Sequence, residues 1–288
     1  MRLDRRSFLL MTSAFLATGA KAEDAFPFLG NYESLSGGHV GVYAENIKTG
    51  QNITWRADER FVMCSTFKAS LAARVLADVD RGRDQLQAVI PFGPDDLGDF
   101  WAPVAKASLS KGALTVAQMC EAAVEQSDNA CANLLLNRIG GPAALTAFWR
   151  SIGDEVTRLD HIEPELNRSP PGDPHDTTTP RAMAATLRRL VLGDLLSHDS
   201  RAQLIQWLIG CRTGDNRLRA GLPKTWTIGN KTGNNGKDAA GDIAVVWPAP
   251  DSPILISVYT QGGTPTEAQL DHLFADLGRG VASSLGHP

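Results

Sequence analysis

Ser65 and Lys68 set a hydroxyl and an amine three residues apart in the stretch Met63-Cys64-Ser65-Thr66-Phe67-Lys68. On a helix such a pair shares one face. A serine at a helix start also meets free N–H groups and the positive end of the dipole, which favour developing negative charge. A serine hydroxyl is a poor nucleophile until a base takes its proton, and a lysine amine can do so if burial destabilises its ammonium. The chemistry this spacing allows is attack on a carbonyl by an activated serine. The same residues would also suit an ordinary exposed helix, so the rest of the chain must supply the missing parts. Cys64 is a poor rival nucleophile, because no histidine stands at a motif-like position relative to it.

The elements that must position this pair follow from the pattern around it. No glycine or proline occurs from Ser65 to Arg81, and Phe67, Leu71, Val75 and Val79 recur at helical spacing, which predicts a helix ending near Gly82. His39–Tyr43 and Asn52–Trp55 flank the turn residues Lys48-Thr49-Gly50 and predict a hairpin over residues 39–56. Thr115-Val116-Ala117-Gln118 has the form of a capping box and opens a helix to about Gln126. Helices follow from Ala132 to Ile139, on to Gly153, from Thr179-Pro180 to Gly193, and from Ser200 to Ile209. Residues 158–176, rich in proline, glycine and charge, predict a compact surface loop. Strands are predicted at Thr225–Asn230, Asp242–Trp247 and Ile254–Thr260, with a last helix from Thr266 to Leu285. Strands thus lie at both ends and helices in the middle. The fold class expected is α/β, an antiparallel sheet built from both chain ends with flanking helices and an inserted all-α domain. The expected boundaries are 23–62 with 210–288 for the α/β domain and 63–209 for the helical one.

Three short motifs stand in order along these elements: Ser65-x-x-Lys68, Ser127-Asp128-Asn129 and Lys231-Thr232-Gly233. Together they resemble the class A serine β-lactamases, a resemblance that runs over nearly the whole mature length. The segment from Arg158 to Asn167, with Glu163 and Asn167, resembles that family's omega loop. The resemblance implies a serine β-lactamase/penicillin-binding transpeptidase-like fold and hydrolysis of penicillins and cephalosporins, with carbapenems left open, through an acyl-enzyme on Ser65. It implies Lys68, or Glu163 through a water, as the base for acylation, the two remaining open. It places Ser127 to protonate the lactam nitrogen and the N–H groups of Ser65 and Asn234 as an oxyanion hole. Glu163 with Asn167 would hold the deacylating water, and Asn129 would bind the substrate side-chain amide. Lys231, Thr232 and Gly233 would line the carboxylate subsite, with Arg217 adding charge there and Trp101 at the mouth. A solvated Arg217 and a merely packed Trp101 are the plainer alternatives. No metal or organic cofactor is implied.

The chain departs from the family at three places. Asn235 and Ala72 stand where some subgroups carry the cysteine partners of Cys64 and Cys120, so those two disulfides are not expected; buried free thiols are the expectation for most of Cys64, Cys120, Cys131 and Cys211, and the sequence gives no pairing. The arginine usual at the neck of the omega loop is replaced by His161, with Asp176 as its expected partner, which would make the anchoring of the loop depend on pH; the plainer alternative is that Arg158 or packing fixes the loop.

The composition, 43% hydrophobic and 21% charged, is that of a soluble globular chain. Arg5-Arg6-Ser7-Phe8-Leu9, a short apolar run and Ala20-Lys21-Ala22 read as a twin-arginine signal peptide over residues 1–22, which places the protein in the periplasm. Without it the formal charge goes from −4 to −7. An acidic chain with no basic cluster argues against nucleic acid or an anionic membrane as partner, and a monomer acting on small β-lactams is expected. Two other functions share the three motifs, a D,D-peptidase of cell-wall peptides and a penicilloylated sensor domain. Neither needs a deacylating glutamate such as Glu163.

Overall fold

A computed structural model describes residues 20–21, 26–168, 170 and 172–286. The signal peptide expected over residues 1–22 lies, but for Ala20 and Lys21, outside the described residues. Those two form a short strand, β1 (Ala20–Lys21), at the edge of the main sheet. Helix α1 (Phe28–Ser36) leads into β2 (His39–Asn46) and β3 (Asn52–Trp55), the expected hairpin. After the short strand β4 (Phe61–Val62), a 3-10 turn over Cys64–Thr66 runs directly into α2 (Phe67–Asp80), so Ser65 sits at a helix start.

The helical middle begins with β5 (Val89–Pro91), α3 (Pro103–Ala107) and β6 (Ala113–Thr115). Helix α4 (Val116–Glu125) opens on the expected capping box, with Thr115 and Gln118 satisfying each other's backbone N–H. Helix α5 runs over Asn129–Ile139, three residues longer at its start than the pattern suggested, because the Asp128 carboxylate caps it by accepting from Cys131 N–H. Helix α6 (Pro142–Ser151) precedes the 158–176 loop, whose described residues include a 3-10 turn over Glu165–Asn167, and the chain returns through β7 (Thr177–Thr178). Helices α7 (Pro180–Val191), α8 (His198–Ile209) and α9 (Leu218–Gly221) complete the middle. Ser197 rather than Ser200 starts α8, its hydroxyl accepting from Ser200 N–H.

The chain then returns to the sheet through β8 (Thr227–Asn234), β9 (Ala240–Trp247) and β10 (Ile254–Gln261), and closes with α10 (Glu267–Leu285). The strand order is β1-β3-β2-β10-β9-β8, antiparallel except for β1 against β3. This is the expected sheet assembled from both ends. Strand β8 extends four residues beyond the predicted end at Asn230, because Lys231, Thr232 and Gly233 pair with Ile243, Asp242 and Gly241.

Side chains alternate across a strand, and the sheet is buried on both faces. Ile243, Val245, Leu255 and Tyr259 point into the helical core with Phe67, Leu187 and Leu208. Val40, Val42, Val246, Ile256 and Val258 point the other way, against Leu29 of α1 and Phe274, Leu277 and Val281 of α10. No helix among the described residues is long and apolar enough to cross a membrane.

Candidate active site

The expected residues come together at one cavity of about 760 Å3, where the helical layer meets the end of β8. Ser65, Trp101, Ser127, Asn129, Glu163, Asn167, Arg217, Thr232, Gly233 and Asn234 all line it. Lys68 and Lys231 lie just behind its wall, both fully buried.

Glu163 is the hub. Its Oε1 accepts from Ser65 Oγ at 3.1 Å and lies 3.1 Å from Lys68 Nζ, while Oε2 accepts from Asn167 Nδ2 at 2.6 Å. The serine and lysine three residues apart therefore meet on one carboxylate oxygen. Glu163 is held in place from α5. Asn133 accepts from its N–H and donates to its carbonyl, both at 2.9 Å. No motif in the sequence singles out Asn133. Its signal is the spacing of four from Asn129, which puts both amides on one face of α5.

A second hub is Ser127. It sits between α4 and α5 at φ 58°, a left-handed backbone that non-glycine residues adopt at a cost of order 1–3 kcal/mol. Asp128 beside it accepts from Cys131 N–H and from the N–H groups of Val104 and Ala105, which ties the turn to both α5 and α3. Ser127 Oγ accepts from Lys231 Nζ at 3.1 Å and from Lys68 Nζ at 3.4 Å. With two ammonium donors on its oxygen, the hydroxyl's own proton is free to point into the cavity. Lys68 Nζ also donates to Ser127 O at 2.9 Å and to Asn129 Oδ1 at 2.5 Å.

Burial dominates the electrostatics of both lysines. It lowers the pKa of Lys68, against the opposing pull of Glu163. It lowers that of Lys231 to about 8, with repulsion from Lys68 and Arg217 acting in the same direction. The site thus holds two buried amines whose charge is costly, one of them, Lys68, 3.1 Å from the Glu163 carboxylate.

The β8 side of the cavity is built by close approach. A Cβ on Gly233 would come within 2.7 Å of Met63 O, 2.9 Å of Cys64 Cβ and 3.0 Å of Ser65 N. Only glycine lets the strand reach the amide of Ser65, and this brings the Asn234 backbone beside the nucleophile. Thr232 Oγ1 is hydrogen-bonded to Thr213 Oγ1 at 2.5 Å, a contact from a loop residue that carries no sequence signal.

Arg217 is 7% exposed, so the alternative of a solvated surface arginine does not hold. Its Nη1 donates to Gly233 O at 2.7 Å and Gly241 O at 2.9 Å, clamping β8 to β9, and its guanidinium faces the Phe274 ring. Trp101 stands at the mouth, 62% exposed, with Nε1 donating to Gln126 O at 2.8 Å. All four cysteines are buried free thiols. His161 Nδ1 lies 2.6 Å from Asp176 Oδ2, the pairing expected at the neck of the loop.

A serine at a helix start, sharing a buried carboxylate with a lysine and facing a lysine-threonine-glycine strand, is the arrangement of a serine acyl-transfer enzyme. The chain belongs to the β-lactamase enzyme family, which it matches over residues 28–285, and within it to the class A serine β-lactamases, which hydrolyse β-lactams and so confer antibiotic resistance. It is 47% identical to β-lactamase L2 of Stenotrophomonas maltophilia over 93% of this chain and 88% of the relative. It is 42% identical to the carbapenem-hydrolysing β-lactamase KPC of Klebsiella oxytoca over 99% of each. Among solved structures, an ancestral class A β-lactamase superposes with a TM-score of 0.86 at 53% identity, covering 90% of this chain and 99% of that one.

Proposed function

We propose that Ser65 attacks the β-lactam carbonyl and that Glu163 takes its proton. The observation that carries this is the direct 3.1 Å contact between Ser65 Oγ and Glu163 Oε1. Lys68 Nζ, bonded to the same oxygen and to Ser127 and Asn129, supports the alternative base less well, because no hydrogen bond joins it to Ser65 Oγ. Its role is to carry a proton from Glu163 Oε1, 3.1 Å away, to Ser127 Oγ, 3.4 Å away. The tetrahedral oxyanion lies between the backbone N–H groups of Ser65 and Asn234. Ser127 gives its proton to the lactam nitrogen as the ring opens and takes one from Lys68 Nζ at 3.4 Å, which regains the proton that Glu163 accepted from Ser65, so Glu163 is ionised again; Lys231 Nζ, donating at 3.1 Å, holds the Ser127 oxygen through the transfer.

In the second half Glu163, with Asn167 on its other oxygen, activates a water that cleaves the ester on Ser65. Lys231, Thr232 and Arg217 hold the substrate carboxylate, and Asn129 binds the side-chain amide. Trp101 covers the ring at the mouth. The protein acts as a monomer in the periplasm after export by the twin-arginine route, and residues 63–209 form a helical domain beside the α/β domain. Penicillins and cephalosporins are the substrates, and the similarity to a carbapenem-hydrolysing relative makes carbapenems a substrate class to assay.

Purified protein should turn over nitrocefin many times. Glu163→Ala should acylate more slowly than the parent, with Lys68 as the weaker base left in place, and then stall, leaving an adduct on Ser65 by mass spectrometry with benzylpenicillin. A stoichiometric burst from the parent would instead favour a peptidase or sensor. Turnover of the variant at the parent rate would remove Glu163 from the mechanism.

A further inference from the structure

The loop from Cys211 to Arg217 runs beside the end of β8, and two of its side chains have no part in acylation or deacylation. Thr213 Oγ1 lies 2.5 Å from Thr232 Oγ1 and 3.5 Å from Cys211 Sγ. A thiol and two hydroxyls thus stand in a row and end on Thr232, which lines the reaction cavity. Cys211 and Thr232 are buried, while Thr213 faces the cavity.

The loop is built for this approach. A Cβ on Gly214, next to Thr213, would stand 2.3 Å from Asn230 Nδ2 and 3.2 Å from Thr232 Cγ2. The Asn230 amide cannot yield cheaply. Its Nδ2 donates to Asp242 Oδ1 at 2.9 Å, and its Oδ1 accepts from Arg219 Nη2 at 2.7 Å. Arg212 N–H donates to Glu125 O at 2.9 Å and Arg217 N–H to Gly214 O at 3.1 Å, which pins the loop on either side of Thr213. Glycine at 214 lets the loop lie against β8, and that contact sets one threonine hydroxyl on the other.

The direction of the protons follows from the ligand. A carboxylate only accepts, so a Thr232 hydroxyl that meets one must donate to it. The Thr232 oxygen then offers Thr213 lone pairs alone, and Thr213 must be the donor between them. The Thr213 oxygen is left to accept from the Cys211 thiol. That thiol is a weak donor, and its sulfur is a weak acceptor that competes little for the Thr213 proton. All three protons point one way, from thiol to hydroxyl to hydroxyl to substrate, and each donor polarises the next.

We propose that Thr213 is a positioning residue for the ring carboxylate of the β-lactam: with Cys211 behind it, Thr213 Oγ1 holds the Thr232 hydroxyl as a donor aimed at that carboxylate. This rests on the carboxylate being met at Lys231 and Thr232. It assigns part of the substrate's affinity to a hydroxyl one residue removed from it.

The test uses a chromogenic cephalosporin and its ring-carboxylate methyl ester, and the quantity read is the ratio of their kcat/KM values. An ester accepts more weakly than a carboxylate, so the ratio reports the charge-assisted bond. Thr213→Val keeps the shape and removes the hydroxyl; it should lower the ratio by about two- to tenfold, the range of a single hydrogen bond. Thr213→Ser should bring it back to within about twofold of the parent. Cys211→Ala should lower it by less than Thr213→Val does, and a larger fall would overturn the order of the chain. Thr232→Val should also lower the ratio, and adding Thr213→Val to it should bring no further fall, because both act through one hydroxyl. Thermal melts check that each variant keeps its fold. A ratio that Thr213→Val leaves unmoved while Thr232→Val lowers it would overturn the role of Thr213 alone. Equal falls in Thr213→Val and Thr213→Ser would do the same, by assigning the effect to packing. A parent ratio near one, or a ratio that Thr232→Val leaves unmoved, would overturn the carboxylate subsite itself.

Discussion

Replacing His161 with arginine should remove a pH dependence from the stability of the chain. His161 Nδ1 sits 2.6 Å from Asp176 Oδ2, with the imidazole side chain 52% exposed and the carboxylate 2% exposed. The hydrogen bond to Asp176 raises the pKa of His161, burial opposes slightly, and the charges of Asp176, Asp160 and Asp173 add to the rise. The other groups nearby are the His175 ring, edge-on at 5.9 Å, and Arg158, which is engaged by Asp160. A histidine whose folded pKa is raised contributes stability that is complete below its unfolded value of about 6.5 and fades as pH climbs through the folded one. Because half of the imidazole faces water, the ionic part is worth about 0.5–1 kcal/mol. For a chain of this size that is about 1–4 °C in Tm. The loop neck does not open when it is lost, since Asp176 Oδ1 still accepts from the N–H groups of Asp160 at 2.7 Å and His161 at 3.0 Å. Arginine stays charged throughout. The Tm advantage of His161→Arg over the parent should therefore grow by about 1–4 °C between pH 5.5 and 8.5. Two melting curves that run parallel across that range would refute the argument.

Three further outcomes are expected. Arg217→Ala should raise KM for penicillins and lower Tm, because two buried carbonyls on β8 and β9 lose charge-assisted partners worth roughly 1.5–3 kcal/mol each; unchanged KM with a lowered Tm would make it a clamp only. With Lys231 at about 8, kcat/KM for benzylpenicillin should fall as pH rises above that value, since the amine loses the charge that meets the substrate carboxylate. Lys231→Arg should move that alkaline limb upward, and a limb that stays put would assign it to another group. Gly233→Ala should abolish most turnover and cost about 1–3 kcal/mol of stability, because the added methyl group meets Met63 O and Ser65 N rather than flexible side chains; wild-type nitrocefin kinetics would show that β8 can retreat without consequence.

Much of this site was legible because its parts obey local rules. The spacing of Ser65 and Lys68 needs only helical periodicity, and the capping box at Thr115 is a four-residue pattern. What stayed hidden depends on contacts far apart in the chain. The burial of Arg217 is set by Gly233, Gly241 and Phe274, none of which marks it in sequence. The extension of β8 through Lys231-Thr232-Gly233 comes from pairing with β9, against a local glycine that weakens strand propensity. Helix α1 carries Gly30 and Asn31 and has little intrinsic preference for helix; its place is fixed by Leu29 packing under the sheet. Thr213 and Asn133 are polar residues on a loop and a helix, unremarkable until the fold turns them inward.

The order of strands in the sheet also sets a timetable. Strand β2 has β3 on one side, and on the other β10, whose first residue is Ile254. At ribosomal speeds of about 5–20 residues per second, roughly 10–40 seconds separate the emergence of the two. Through that interval the hairpin of β2 and β3 holds Val40, Val42 and Ala44 with no sheet beside it and no α10 beneath it. A nascent chain of this design must be shielded until its last fifth is made. A premature stop between β9 and α10 would leave an aggregating fragment rather than a weakened enzyme.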